Sequence, residues 1–393
     1  MPTGRSGVPS DDASSQATRY RALPVQLVEI DGGVILVRGG TEVRVVGMRA
    51  EQTVREIWSA ATQAPITLEG FVATYAAPDR ASVRALVEKL IARRILIDAD
   101  TERTDGPESA LEVFYWNFGL AEPRVRGSLN ERRMVVLGLN GISRQLTATL
   151  TEAGVTNFEV VDYALFRNQR LFGSELQART DHWPSSQPEP IAYDAWIKRD
   201  QPGNPDCLIA TCEHAATSVM LDWNRYCVEN NIAFLPIVLR QLIGQVGPFV
   251  VPQETACYEC LCARQNSHLR EHQALRSVEA QSPYGQAVSG VFPAMGSILG
   301  DIAAFELVKF YSGGMPYRVG HFIEVNLLAV DVTTHKVLRV PRCRACAATM
   351  KTSGFGLEFA DFVPGPQFLP GDTTRENPVL SPEETPRRSS VEN

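Results

Sequence analysis

Apolar positions along this 393-residue chain recur with two periods. Within residues 21–99, three short runs (VQLVEI, GVILVR and EVRVVG) read as strands parted by Asp-Gly-Gly and Gly-Gly turns. EQTVREIWSAA then sets Val54, Ile57 and Trp58 on one helical face, and Leu68, Phe71 and Val72 recur at helical spacing. A third helix follows Pro78-Asp79 with Val83, Leu86, Val87, Leu90 and Ile91 as its apolar stripe, before RILID returns to strand. Three strands, three helices and a closing strand predict a small winged helix-turn-helix.

In residues 100–132 the run ALEVFYWNFGL carries Phe114, Tyr115, Trp116 and Phe118, which fits a connecting helix buried between two domains. Over residues 133–350 strand and helix patterns alternate. MVVLGL, NFEVVD, DCLIATC and IAFLPIVL read as strands; SRQLTATLTEAG and AATSVMLDWNRYCVENN read as helices. This order predicts an α/β domain of Rossmann type, a mostly parallel sheet covered by helices. Residues 1–20 and 351–393 are polar or rich in Pro, Ser and Thr, and are expected to be disordered.

Composition adds bounds. An apolar fraction of 44% with 21% charged residues is ordinary for a globular protein. No apolar run approaches the roughly 20 residues of a membrane span, and the N-terminus lacks the apolar stretch of a signal peptide, so the cytoplasm is the expected location. A net charge of −7 disfavours broad nucleic-acid binding. From Arg21 to Asp98 ten basic residues face nine acidic ones, although the third helix concentrates Arg80, Arg84, Lys89, Arg93 and Arg94. Such a helix suits DNA or an acidic or amphipathic peptide. Near-neutral charge favours the peptide, with an exposed strand beside the helix for β-augmentation.

Eight cysteines in such a chain do not predict disulfides. Four form two Cys-x-x-Cys pairs, Cys257 with Cys260 and Cys343 with Cys346, far apart in sequence. Two such pairs can supply four thiolates in tetrahedral array, the closed ligand set of structural zinc. Cys207, Cys212, Cys227 and Cys262 read as free thiols.

The glycine turn in VVLGLNGISRQL, Asp162 closing the next strand before a turn with Asn168 and Arg170, and the distant cysteine pairs resemble the ThiF-like, ubiquitin-activating-type adenylating fold. VFPAMGSILGDIAAFELVKFYSGG, with Pro293, Gly296, Gly300, Glu306 and Lys309, is similar to that fold's late helix. YWNFGL and VGPFVVPQETACYECLCAR narrow the resemblance, over about residues 21–348, to the leader-peptide-binding partner proteins of YcaO cyclodehydratases, which make thiazole and oxazole peptides. The resemblance implies that the winged-helix module binds the leader of a ribosomally made precursor peptide. It also implies that the ThiF-like domain docks a separate YcaO protein, which holds ATP and forms azolines from Cys, Ser or Thr. A homodimer is implied as well. The leader would add as a strand beside EVRVV and contact Val43, Val45, Val83, Arg84 and Val87. The sequence contains no YcaO segment, so that partner is expected as another chain.

An adenylating member needs bare backbone near phosphate, an acid for ribose, basic groups for phosphates and an acid for magnesium. The turn keeps Gly138 and Gly141 but has Asn140 and Ser143 where side chains would intrude on phosphate. Asp162 suits a ribose hydroxyl and Arg170 a phosphate; no lysine follows them before Lys198. Glu213 takes the place of the magnesium acid with His214 beside it, and Ser218 stands at the expected arginine. A triphosphate would find little compensating charge. Gly138, Asn140, Gly141, Asp162 and Arg170 are thus expected to form a vestigial nucleotide loop, Glu213 and His214 to be non-catalytic, and ATP not to be used by this chain. An active adenylating enzyme for a peptide or sulfur-carrier protein is the alternative, and a winged-helix transcription factor a further one. His268 and His272 read as solvated, and no cysteine nucleophile lies between Arg264 and Val291.

Overall fold

A computed structural model describes residues 18–100, 109–173, 183–199, 204–214, 216–240, 242–268 and 292–347. Most of the expected disordered ends, the His268 side chain and His272 lie outside the described residues.

The chain opens with β1 (Arg19–Ala22), β2 (Gln26–Ile30), β3 (Gly33–Arg38), β4 (Thr41–Val46) and α1 (Ala50–Gln63). Then come β5 (Ile66–Thr67), α2 (Leu68–Ala73), α3 (Arg80–Ala92) and β6 (Leu96–Asp98). The three predicted strands form an antiparallel sheet in the order β2-β3-β4, which leaves β4 at an edge. The short β1, β5 and β6 make a second sheet, in the order β5-β1-β6. Val34, Leu36, Val54, Ile57, Val87 and Leu90 meet in a core between sheet and helices.

Helices α4 (Ala110–Trp116) and α5 (Glu122–Asn130) follow. Within α4, Tyr115 and Trp116 are buried, only 1% and 2% exposed. Phe114 meets Phe305 with ring centroids 5.9 Å apart. On the other side Arg94 donates to the Asn117 carbonyl, Thr41 Oγ1 to Asn117 Oδ1, and the Arg38 guanidinium lies 5.9 Å from the Trp116 ring.

Next are β7 (Met134–Leu137), α6 (Gly141–Glu152), β8 (Phe158–Asp162), α7 (Gln169–Phe172), β9 (Ile191–Ala192), α8 (Tyr193–Ile197), β10 (Cys207–Cys212), α9 (Thr217–Glu229) and β11 (Ala233–Arg240). The chain ends its described course with β12 (Ile243–Val246), α10 (Tyr258–His268), α11 (Pro293–Ser312), β13 (His321–Asn326) and β14 (Asp331–Lys336). One eight-stranded sheet runs β14-β13-β12-β11-β10-β7-β8-β9. From β11 to β9 the pairings are parallel; β12, β13 and β14 extend it antiparallel. All residues of β7 and β10 are buried, as parallel strands covered on both faces require. The chain leaves β7 for β8 on one side and returns to β10 on the other. The order therefore reverses at β7, so the carboxyl ends of β7 and β10 form the topological switch point at which open α/β sheets place their ligand sites.

Candidate functional site

At that switch point the turn from β7 to α6 is built by Gly138, Asn140 and Gly141. Gly138 has φ +108°, and a Cβ there would stand 2.7 Å from the Thr211 carbonyl oxygen, so glycine alone fits. Asn140 is extended and fully buried, and caps α6. Its Oδ1 accepts from the Ile142 and Ser143 amides, both at 3.1 Å. Its Nδ2 donates to the Phe166 and Thr211 carbonyls at 3.0 and 2.9 Å, and to Thr211 Oγ1 at 3.0 Å. Ser143 Oγ accepts from the Asn140 amide, completing a capping box. Asn140 Oδ1 therefore takes two of the amides a phosphate would use, while its Nδ2 turns inward to the Phe166 and Thr211 carbonyls. Ser143 Oγ caps the Asn140 amide, so that capping satisfies amides that burial cuts off from water.

The group standing at the turn is Glu213, one residue beyond β10 and 7% exposed. Its Oε1 accepts from the Gly141 amide at 3.1 Å and its Oε2 from Asn168 Nδ2. Burial pushes this carboxyl above the usual range, opposed by the Asn168 and Gly141 hydrogen bonds and the Arg144 charge. Its neighbour His214 is held below the usual histidine value by burial, opposed by the Leu165 carbonyl 3.0 Å from Nε2. That contact is long-range in sequence.

Asp162 closes β8 and pairs with Arg167, whose Nε donates to Oδ1 at 2.9 Å and whose Nη2 donates to Oδ2. Arg167 is 4% exposed, and the sequence reading overlooked it. The available signal was an arginine five residues after the strand-ending acid. Arg170 sits exposed on α7, which Asn168 caps by accepting from the Arg170 and Leu171 amides. Glu213 thus links the Gly141 amide to Asn168 beside the turn built by Gly138 and Asn140, while Asp162 is tied by an internal cation.

Cys257 and Cys260, at the start of α10, meet Cys343 and Cys346 after β14, and the four sulfurs lie within 4.8 Å of one another. The Sγ separations of Cys257–Cys260, Cys257–Cys343 and Cys260–Cys346 are 3.8, 3.5 and 3.6 Å. A tetrahedron with metal–sulfur bonds of about 2.3 Å has edges near ~3.8 Å, so the donor set fits a metal ion of zinc's size. The Val340 amide donates to Cys260 Sγ at 3.4 Å, supporting a thiolate there. Each of the eight cysteines is free of a disulfide.

A groove of about 260 Å³ lies between edge strand β4 and α3, lined by Val45, Tyr75, Val83 and Leu86 with Arg49 and Asp79 among its polar residues. Of the expected peptide contacts, Val45 and Val83 line it. Val43 and Val87 do not: they share a strand face with Val45 and a helix face with Val83, but lie deeper, 2% and 0% exposed in the core. Arg84 forms a bidentate pair with Glu69 on the surface. Leu86 and Tyr75 line the groove without having been singled out as peptide contacts.

A parallel sheet reversing at a glycine turn, with that turn's helix under a late helix and four clustered cysteines, defines a ThiF-like fold of adenylyltransferase type. The chain is 25% identical over 240 residues to molybdopterin-synthase adenylyltransferase of Escherichia coli (strain K12), covering 56% of this chain and 88% of that protein. Identity to the Salmonella typhimurium counterpart is 24% over 243 residues, with the same coverage. Among solved structures it resembles E. coli MccB with AMPCPP and MccA, at TM-score 0.61 and 16% identity over 84% of this chain and 99% of that one. It also resembles a heterocyclase in complex with substrate and cofactor, at TM-score 0.53 and 17% identity, spanning 84% of this chain and 39% of that one. No family model matches the chain. Among the described residues no helix is long and apolar enough to cross a membrane.

Proposed function

We propose that this chain binds the leader of a ribosomally made precursor peptide and presents it to a separate YcaO cyclodehydratase, without adenylating anything itself. The observation that carries this reading is the apolar groove against the free edge of β4. An extended peptide pairs with an edge strand through its backbone and places alternate side chains in a groove beside it. The elements around it are read as a winged-helix recognition module, spanning residues 21–99, ahead of a ThiF-like domain over residues 133–350. Val45, Val83 and Leu86 are the proposed leader contacts. The solved neighbours support a peptide ligand: MccB was captured with MccA, and the heterocyclase with its substrate. In this reading the four cysteines hold a structural zinc ion that ties the start of α10 to the segment after β14. A homodimer belongs to the same proposal.

The second reading, ATP-dependent adenylation, draws support from the identity to the adenylyltransferases and from Asp162 and Glu213 near the turn. Calorimetric titration of the purified protein with precursor leader and, separately, with ATP·Mg decides between them. Leader binding without ATP binding or pyrophosphate exchange is expected. ATP·Mg binding together with exchange overturns the first reading in favour of the second.

A further inference from the structure

We propose that Glu213 is a built-in anion: its carboxylate occupies the phosphate position of the glycine turn and keeps the turn closed to nucleotides. This inference rests on the non-adenylating reading and supplies its physical cause. A helix binds phosphate at its N-terminus because the first amides lack carbonyl partners within the helix. In α6 each of those amides is already taken. Asn140 donates to Ser143 Oγ at 3.0 Å, Gly141 donates to Glu213 Oε1 at 3.1 Å, and Ile142 and Ser143 donate to Asn140 Oδ1.

The carboxylate is also wedged in place. A Cβ on Gly141 would stand 2.6 Å from Oε1, and one on Gly296, in the first turn of α11, 2.8 Å from the same atom. The latter would also lie 3.2 Å from the Ile142 nitrogen, so α11 meets the turn backbone to backbone with the carboxylate between them. Asn168 Nδ2 holds the other oxygen. At the ribose end, Arg167 engages both oxygens of Asp162. An incoming nucleotide would have to displace Glu213 from the Gly141 amide and Arg167 from Asp162.

The test is calorimetric titration of the full chain with inorganic pyrophosphate and with ATP·Mg, comparing wild type and Glu213→Ala. Wild type should bind neither. E213A, with the Gly141 amide uncovered, should bind pyrophosphate at least about tenfold more tightly, as expected for one hydrogen bond to a charged group. Formate, small enough to replace the lost carboxylate, should raise the melting temperature of E213A and leave wild type unchanged. If E213A binds pyrophosphate no better than wild type and is indifferent to formate, the built-in anion is refuted while the non-adenylating reading stands. If wild type binds ATP·Mg and exchanges pyrophosphate, the functional reading itself fails. Should E213A not fold, amide exchange at Gly141 in wild type decides. Strong protection unaltered by excess ATP·Mg supports the proposal, and free exchange overturns it.

Discussion

Replacing Asn140 by glycine restores the residue type a nucleotide-binding turn uses, yet it should destabilise the protein and return no ATP binding. Asn140 is fully buried and makes five side-chain hydrogen bonds: two accepted from the first turn of α6, and three donated to the Phe166 and Thr211 carbonyls and Thr211 Oγ1. Losing the cap to glycine costs only a few tenths of a kcal/mol in typical helices. Uncovering a buried carbonyl costs about 1–3 kcal/mol, and the extra backbone entropy of unfolded glycine adds roughly 0.5–1 kcal/mol. Asn140 has φ −154°, which any residue adopts, so glycine relieves no strain. The sum is about 2–4 kcal/mol, measured as the difference in unfolding free energy between N140G and wild type in urea. A loss under about 0.5 kcal/mol would show that the side chain is not holding the turn. Gain of ATP·Mg binding by N140G alone would show that Asn140, rather than Glu213, closes the site.

Other outcomes follow from the same contacts. Cys343→Ser should cut bound zinc from one ion per chain to a small fraction by atomic absorption, with an accompanying fall in melting temperature; unchanged zinc content would sink the four-thiolate site. Leu86→Asp places a charge in the β4–α3 groove and should weaken leader binding at least about tenfold by fluorescence anisotropy while the far-UV circular dichroism is preserved. Equal leader affinity in L86D and wild type would move the peptide elsewhere. His214 has a folded pKa depressed by burial, so its neutral form stabilises the fold above the usual value of about 6.5, and that contribution is lost as pH falls through the lower folded value. The melting temperature should therefore fall more steeply as pH drops below about 6.5 in wild type than in His214→Asn. Matching slopes would show that the histidine is not the sensor.

Periodicity in the chain suffices to place the long elements. The apolar runs at β7, β8, β10 and β11 and the 3.6-residue stripes of α1 and α3 are local signals, and tertiary contacts reinforce them. Strands β1, β5 and β9 span only two to four residues, too short for any alternation to register, and they exist through pairing with distant partners. The antiparallel extension by β12, β13 and β14 is likewise fixed by pairing rather than by pattern.

The candidate site divides the same way. Two Cys-x-x-Cys pairs and the glycines at 138 and 141 are visible as letters, because their chemistry depends on residue type and short spacing. Periodicity puts Val43 on one face with Val45 and Val87 on one face with Val83, and only the tertiary packing separates the fully buried Val43 and Val87 from the two that reach the groove. What the letters leave undecided is direction. Asn140 reads as a side chain in phosphate space, and only the fold shows that its Oδ1 caps the amides of α6 while the buried carbonyls of Phe166 and Thr211 draw its Nδ2 inward. Glu213 reads as a magnesium acid until Gly141 and Gly296, far apart in the chain, are seen to close on its carboxylate. The sequence by itself thus determined that this chain builds a nucleotide-type turn. The tertiary structure decided which group fills it, because only folding brings the end of β10 and the first turn of α11 against the first amide of α6.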